Sequence, residues 1–283
     1  MNLKKGLTQI MVIAIVGVQI YPITLAQAID TETVEIRQSL EGIDGLLQES
    51  SQVNLKSDQD SVGIIKTNNS IIDIPKNPDE AVNLKTDNTE INISLPELDN
   101  PQEGEIIAKG VVAYASESDF SNTVQANNDG SVRMTTIIDN PNAPTEYEYR
   151  VELEQGGKIE LQSDGGAIVY NNKQEPISII AKPWAKDAEG KEVKTWFSTD
   201  GLTLIQHVEH NVAGVVYPIV ADPVFIPAGV VIFWATRLQV PIYAVVKFCT
   251  RHSGAVQECA MHINRAFNTP SYWNWLRQYI LRF

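Results

Sequence analysis

The sequence predicts a mainly β protein, an antiparallel sandwich or barrel-like meander, followed by a C-terminal α-helical segment. Three observations carry that prediction. In "YEYRVELE" the residues Tyr147, Tyr149, Val151 and Leu153 alternate with Glu148, Arg150, Glu152 and Glu154, the period-two pattern of a strand with one apolar and one charged face. Gly156-Gly157 and Asp164-Gly165-Gly166 then offer tight turns into "KIEL" and "AIVY", which makes a meander of hairpins. Beyond Pro223 the period changes: Tyr272, Trp275, Leu276, Tyr279, Ile280 and Phe283 recur every three or four residues, as on one face of a helix.

The elements follow in order. Residues 1–28 begin with Lys4 and Lys5, run through an apolar stretch from Gly6 to Leu25 and end in Ala26-Gln27-Ala28. Charge, apolar run and small residues in that order read as a secretory signal cleaved after Ala28. No cysteine follows the apolar run and no sortase-type sorting motif closes the chain, so a secreted, extracellular protein is expected. Residues 29–60 are polar and poor in aromatics, with a faint helical pattern in Val34, Ile36, Leu40, Ile43 and Leu46-Leu47. They read as a flexible acidic leader or a marginal helix.

Residues 61–223 read as the β-rich domain. "SIIDIP" (70–75) and "EINISLP" (90–96) are β-branched runs stopped by proline, and "ELDNPQEGE" is a loop. After the hairpins come "ISIIA" (177–181), "KTWFST" (194–199), "LTLIQHVEH" (202–210) and "GVVYPIV" (214–220). Short strands with turn signals between them favour antiparallel sheets over parallel βαβ units. Residues 224–283 read as helical, with Thr269 as N-cap and Pro270 at the first helical position, and with "GAVQECAMHINRAF" (254–267) as a further helix. The apolar stretch 228–246 is interrupted by Arg237, Gln239 and Pro241, and an arginine near mid-span argues against a transmembrane helix.

Charge divides the chain at the same seam. The total is −13, but residues 29–223 carry −20, whereas residues 224–283 hold Arg237, Lys247, Arg251, Arg265, Arg277 and Arg282 against Glu258 alone, a net +5. An acidic body repels anionic surfaces, and a cationic segment is drawn to them. Both cysteines, Cys249 and Cys259, lie in the cationic part; an isolated pair in an exported chain favours a disulfide over two free thiols, and two sulfurs are too few for a structural zinc site.

No catalytic constellation is legible. His207 and Glu209 fall on one face of the strand in "HVEH", but the spacing matches neither helical zinc motif, so a solvated strand face is expected. There is no G-x-S-x-G elbow, no EF-hand loop, and the paired glycines belong to hairpins rather than a phosphate cradle. Accordingly no enzyme activity, cofactor, metal site or nucleic-acid partner is expected.

The segment "KPWAKDAEGKEVKTWFSTDGLTLIQHVEHNVAGVVYPIVADP" (182–223), through its Pro-Trp-Ala, its Asp-Ala-X-Gly turn, its "LTLIQHV" strand and its closing "YPIVADP", resembles a family of secreted precursors from Gram-positive bacteria, closticin-type bacteriocin precursors. The likeness spans roughly 60–223. It implies a β-rich export domain ending in Ala-Asp-Pro, then a variable cationic segment freed by a processing protease, with Asp222-Pro223 the best candidate for the cleaved bond. Residues 224–283 do not match the closticin segment.

On this reading the chain is the precursor of a cationic, membrane-active antimicrobial peptide acting on anionic bacterial membrane lipid. Arg237, Lys247, Arg251, Arg265, Arg277 and Arg282 would meet lipid headgroups, and Trp273, Trp275 and Tyr279 would anchor at the interface. The alternative is a non-catalytic secreted or cell-wall-associated binding protein whose helical tail is structural.

Overall fold

A sheet whose two faces are both apolar has to be covered twice, and covering the larger of two sheets organises this protein. The computed structural model describes residues 25–66, 70–86, 89–251, 262–263 and 265–282. Helix α1 (Leu25–Glu41) and a 3₁₀ turn at Leu46–Ser50 come first. Strands β1 (Ser61–Lys66), β2 (Ile71–Pro75), β3 (Val82–Lys85) and β4 (Glu90–Ser94) form one antiparallel meander. A second runs through β5 (Glu105–Ala108), β6 (Val111–Tyr114), β7 (Phe120–Ala126) and β8 (Val132–Ile138). Next come β9 (Glu146–Glu152), β10 (Lys158–Leu161), β11 (Ala167–Tyr170), β12 (Pro176–Ile180) and β13 (Trp184–Lys186). The strands end with β14 (Thr195–Thr199), β15 (Thr203–Val208), β16 (Ile219–Asp222) and β17 (Val224–Pro227). Helices α2 (Ala228–Leu238), α3 (Ile242–Arg251) and α4 (Pro270–Ile280) complete the fold.

The strands make two antiparallel sheets, as expected. The smaller has the order β1-β2-β3-β4-β9-β15-β14; the larger has β10-β11-β12-β17-β8-β7-β6-β5, with β16 paired to β8 and β13 to β16. Ile72, Leu84, Tyr149 and Leu204 of the smaller sheet meet Val124, Met134, Ile138 and Phe225 of the larger in the main core. Strand β9 keeps the alternation read from its sequence: Tyr147, Tyr149 and Val151 are buried, while Glu146, Glu148, Arg150 and Glu152 face out. The turns at Gly156 and Gly165, both in the left-handed region at φ 96°, sit where the hairpins require them.

The outer face of the larger sheet is roofed by both ends of the chain. Of the two forms expected for residues 29–60, the structure has the helix rather than the flexible leader. Ile36, Leu40, Ile43 and Leu46 are buried against Val111, Ala113, Ala115, Ile137 and Val220, because a helix with so narrow an apolar stripe gains its stability from the sheet it covers. The other half is covered by α2, α3 and α4. Of the expected strand 214–220, only Ile219 onward pairs. Within 254–267, residues 262–263 and 265–267 are helical, and residues 254–261 and 264 lie outside the described residues, as do residues 1–24 of the predicted signal and Phe283.

Candidate functional site

The seam at Asp222-Pro223 is built into the middle of the larger sheet. Strands β16 and β17 both pair with β8, and β17 also pairs with β12, so the first four residues of the cationic part are a central strand. Asp222 is buried, and its Oδ2 accepts a hydrogen bond from Arg133 Nε at 2.9 Å. Arg133 Nη1 also lies 2.9 Å from Glu49 Oε2 of the 3₁₀ turn, and its guanidinium carbon is 5.7 Å from the centre of the Trp184 ring. One arginine thus ties the N-terminal cover to the seam. One positive charge cannot neutralise two carboxylates. Burial outweighs the arginine and pushes Asp222 up to about 6 and Glu49 up to about 7. Asp222 and Pro223, the candidate cleavage point, are both buried, so cutting the bond between them requires the sheet to open.

The helices past the seam share a core with the sheet. Val230, Val231, Trp234 and Leu238 of α2, Val245 and Phe248 of α3 and Leu276 and Ile280 of α4 pack with Ile179, Ala181, Val224 and Ile226. The pattern read for α4 rotates accordingly. Leu276 and Ile280 turn inward, while Trp275 stands at the edge of the apolar face, 50 % exposed. It stacks on Tyr279 with ring centres 5.3 Å apart and tilts against Tyr272 at 5.0 Å.

The six expected cations and the three expected aromatic anchors do not all share one surface. Arg237, Lys247, Arg265 and Arg282 are exposed, whereas Arg277 is half-buried with its guanidinium 5.8 Å from the Trp273 ring. Arg237 lies over Phe267 at 4.8 Å and Arg265 over Tyr272 at 4.5 Å, so aromatic faces hold both guanidinium groups beside exposed apolar surface. Trp273 and Tyr279 are half-buried against the helical core. Arg251 ends α3. Cys249 is buried and disulfide-bonded; Cys259 lies outside the described residues. Among the described residues no helix is long and apolar enough to cross a membrane. Between α3 and the sheet runs an apolar groove of about 410 Å³ lined by Ile168, Tyr170, Pro176, Ile179, Ile242 and Val246, with Lys247 at its wall.

On the opposite, outward face of the smaller sheet the histidine of "HVEH" has other partners than the sequence suggested. Glu209 bonds to Lys194. His207 instead places Nε2 2.6 Å from Ser198 Oγ on β14 and Nδ1 3.3 Å from Glu146 Oε1 on β9. Cross-strand register makes this row: Trp196 and Glu146 pair directly with His207 on either side, and Ser198 is the diagonal neighbour. Sequence reasoning missed it because Glu146 lies far from Ser198 and His207 in the chain and the three carry no local motif. His210 has a structural role, with Nδ1 2.9 Å from Tyr217 Oη and Nε2 donating to the Pro144 carbonyl at 3.0 Å.

Comparison with protein-family models, with curated proteins and with solved structures finds no match to this chain.

Proposed function

We propose that this is an exported protein that binds anionic lipid at a bacterial surface through its C-terminal helical layer, with the layer still attached to the β-domain. The observation that carries this reading is the double character of the C-terminal layer: the inner side of α2 to α4 shares one core with β12 and β17, while Arg237 of α2, Lys247 of α3, Trp275 of α4, and Arg265 and Arg282 to either side of α4, are exposed. Each such cation contributes about 1 kcal/mol near an anionic leaflet, and Trp275 adds an interfacial apolar contact. The groove beside Lys247 suits an acyl chain whose anionic headgroup meets the lysine.

Part of the acidic body stands too far off to cancel the attraction. Glu90, Glu146, Glu148 and Glu152 point outward from the smaller sheet, on the far side of the sandwich from the helices. Packed layers stand roughly 10 Å apart. Two layer spacings exceed the screening length of about 8 Å at physiological salt.

Release of residues 224–283 as a bacteriocin-like peptide remains the second reading. It draws on the charge contrast at the seam and on the resemblance of residues 182–223, and it requires the sheet to open first. Sedimentation of the chain from Ile29 with phosphatidylglycerol and with phosphatidylcholine vesicles, followed by mass spectrometry of the bound protein, separates the two. Intact chain on the anionic vesicles alone, displaced by salt, supports binding in place. Binding by a fragment of residues 224–283, with none by the intact chain, supports release.

A further inference from the structure

We propose that Ser198, His207 and Glu146 form a hydrolytic site for small carboxylic esters on the outward face of the smaller sheet, independent of lipid binding by the helices. Three adjacent antiparallel strands hold the three side chains. Ser198 Oγ lies 2.6 Å from His207 Nε2, and His207 Nδ1 lies 3.3 Å from Glu146 Oε1. That is the order of contacts a serine nucleophile needs: the hydroxyl is placed to donate to a neutral ring nitrogen, and the carboxylate lies beside the opposite nitrogen, where it can face the charge of a protonated ring. Trp196 lies flat on the imidazole, ring centres 5.0 Å apart and planes 4° from parallel, which restricts the ring to this plane. His207 is 18 % exposed, partly shielded, while Glu146 at 63 % reaches it from the solvent side.

The chemistry balances within these groups. Ser198 Oγ bonds to the ester carbonyl carbon as its proton passes to His207 Nε2. Glu146 faces the imidazolium charge this creates. The bond to the alkoxy oxygen then breaks, and the departing alcohol takes the proton from Nε2. Water attacks the acyl-serine in the same way: its proton goes to Nε2, its oxygen to the acyl carbon, and Ser198 leaves and recovers the proton. The products are an alcohol and a carboxylic acid, with no oxidant or metal consumed.

The open sheet sets the substrate class. A carbonyl oxygen reacting here is stabilised by solvent rather than by enclosed donors, which suits esters of acidic alcohols with short acyl groups. Ile205, the direct cross-strand partner of Ser198, and Trp196, 43 % exposed, supply apolar surface beside the hydroxyl.

The test uses the full chain, a fluorophosphonate probe with peptide mapping, and p-nitrophenyl acetate turnover. The parent protein should carry the phosphonyl adduct on Ser198 and hydrolyse the ester, and Ser198→Ala should lose both. His207→Gln should slow labelling and turnover by at least about tenfold. Glu146 acts through the imidazole as a positioning residue, so Glu146→Gln should lower kcat and leave KM unchanged. Circular dichroism melts of all variants should match the parent, since the positions face outward. An adduct on another residue, no adduct, or a His207→Gln protein that labels as fast as the parent overturns the proposal.

Discussion

Arg133 and Asp222, 89 positions apart in the chain, meet at 2.9 Å with side chains 1 % and 2 % exposed, and Glu49 closes on the same guanidinium from the N-terminal cover. Breaking such a pair leaves a buried charge without its partner, which costs about 3–5 kcal/mol. Arg133→Ala is therefore expected to lower the unfolding free energy by that amount in urea titration. Arg133→Leu should be milder only if paired with Asp222→Asn and Glu49→Gln. Equal stability of Arg133→Ala and parent would show that the triad contributes nothing.

The same triad sets a pH dependence with a definite sign. Burial raises Glu49 from 4.5 to about 7 and Asp222 from 3.8 to about 6. Asp139 rises to about 7, through burial first and then its neighbours Glu32, Glu35 and Asp119. A carboxyl with a higher pKa folded than unfolded binds a proton more readily in the native state, so its contribution is full at low pH and is lost as pH rises through the folded value. These groups make the protein more stable near pH 5 than near pH 8. Glu49→Gln should flatten the profile in part, because it removes one raised carboxyl while burial still raises Asp222 and Asp139. Thermal melts across that range decide it; a Tm that climbs steadily toward pH 8 contradicts the assignment.

Deleting residues 224–283 removes strand β17 from between β12 and β8 and uncovers Ile179 and Ala181. The open edges and exposed apolar face invite aggregation. A chain ending at Pro223 should elute as aggregate, or fail to fold, in size-exclusion chromatography. A soluble, folded monomer would instead mean that the helical layer is dispensable, as release as a peptide requires.

What was legible in the sequence followed from how each element is covered. Strand β9 has one wet face and one dry face, so Tyr147, Tyr149 and Val151 announced it. Strands β7 and β8 are buried on both faces and carry Ser121, Asn122, Thr123 and Gln125 among their apolar residues, so no period-two pattern marks them. The seam misled for a related reason: the change in charge falls at Pro223, but the change in structure comes only after β17, because Val224 and Ile226 serve the sheet while the cations Arg237, Lys247, Arg265 and Arg282 meet solvent. Ser198, His207 and Glu146 belong to three strands, and only register brings them together.

Two tryptophans of the helical layer separate folding from binding. Trp234 is 2 % exposed in the core that α2 shares with the sheet, whereas Trp275 is 50 % exposed beside Tyr272 and Tyr279. Truncating a buried tryptophan costs about 3–5 kcal/mol through lost transfer energy and the cavity left behind. Trp234→Ala should therefore lower Tm sharply. Trp275→Ala should change the unfolding free energy by no more than about 1 kcal/mol and weaken sedimentation with phosphatidylglycerol vesicles severalfold. If Trp275→Ala binds as the parent does while Arg237→Ala and Arg265→Ala are weakened, attachment is electrostatic alone and the aromatic edge serves only the fold. If none of the three is weakened, the outer side of the helical layer is not the lipid-binding surface.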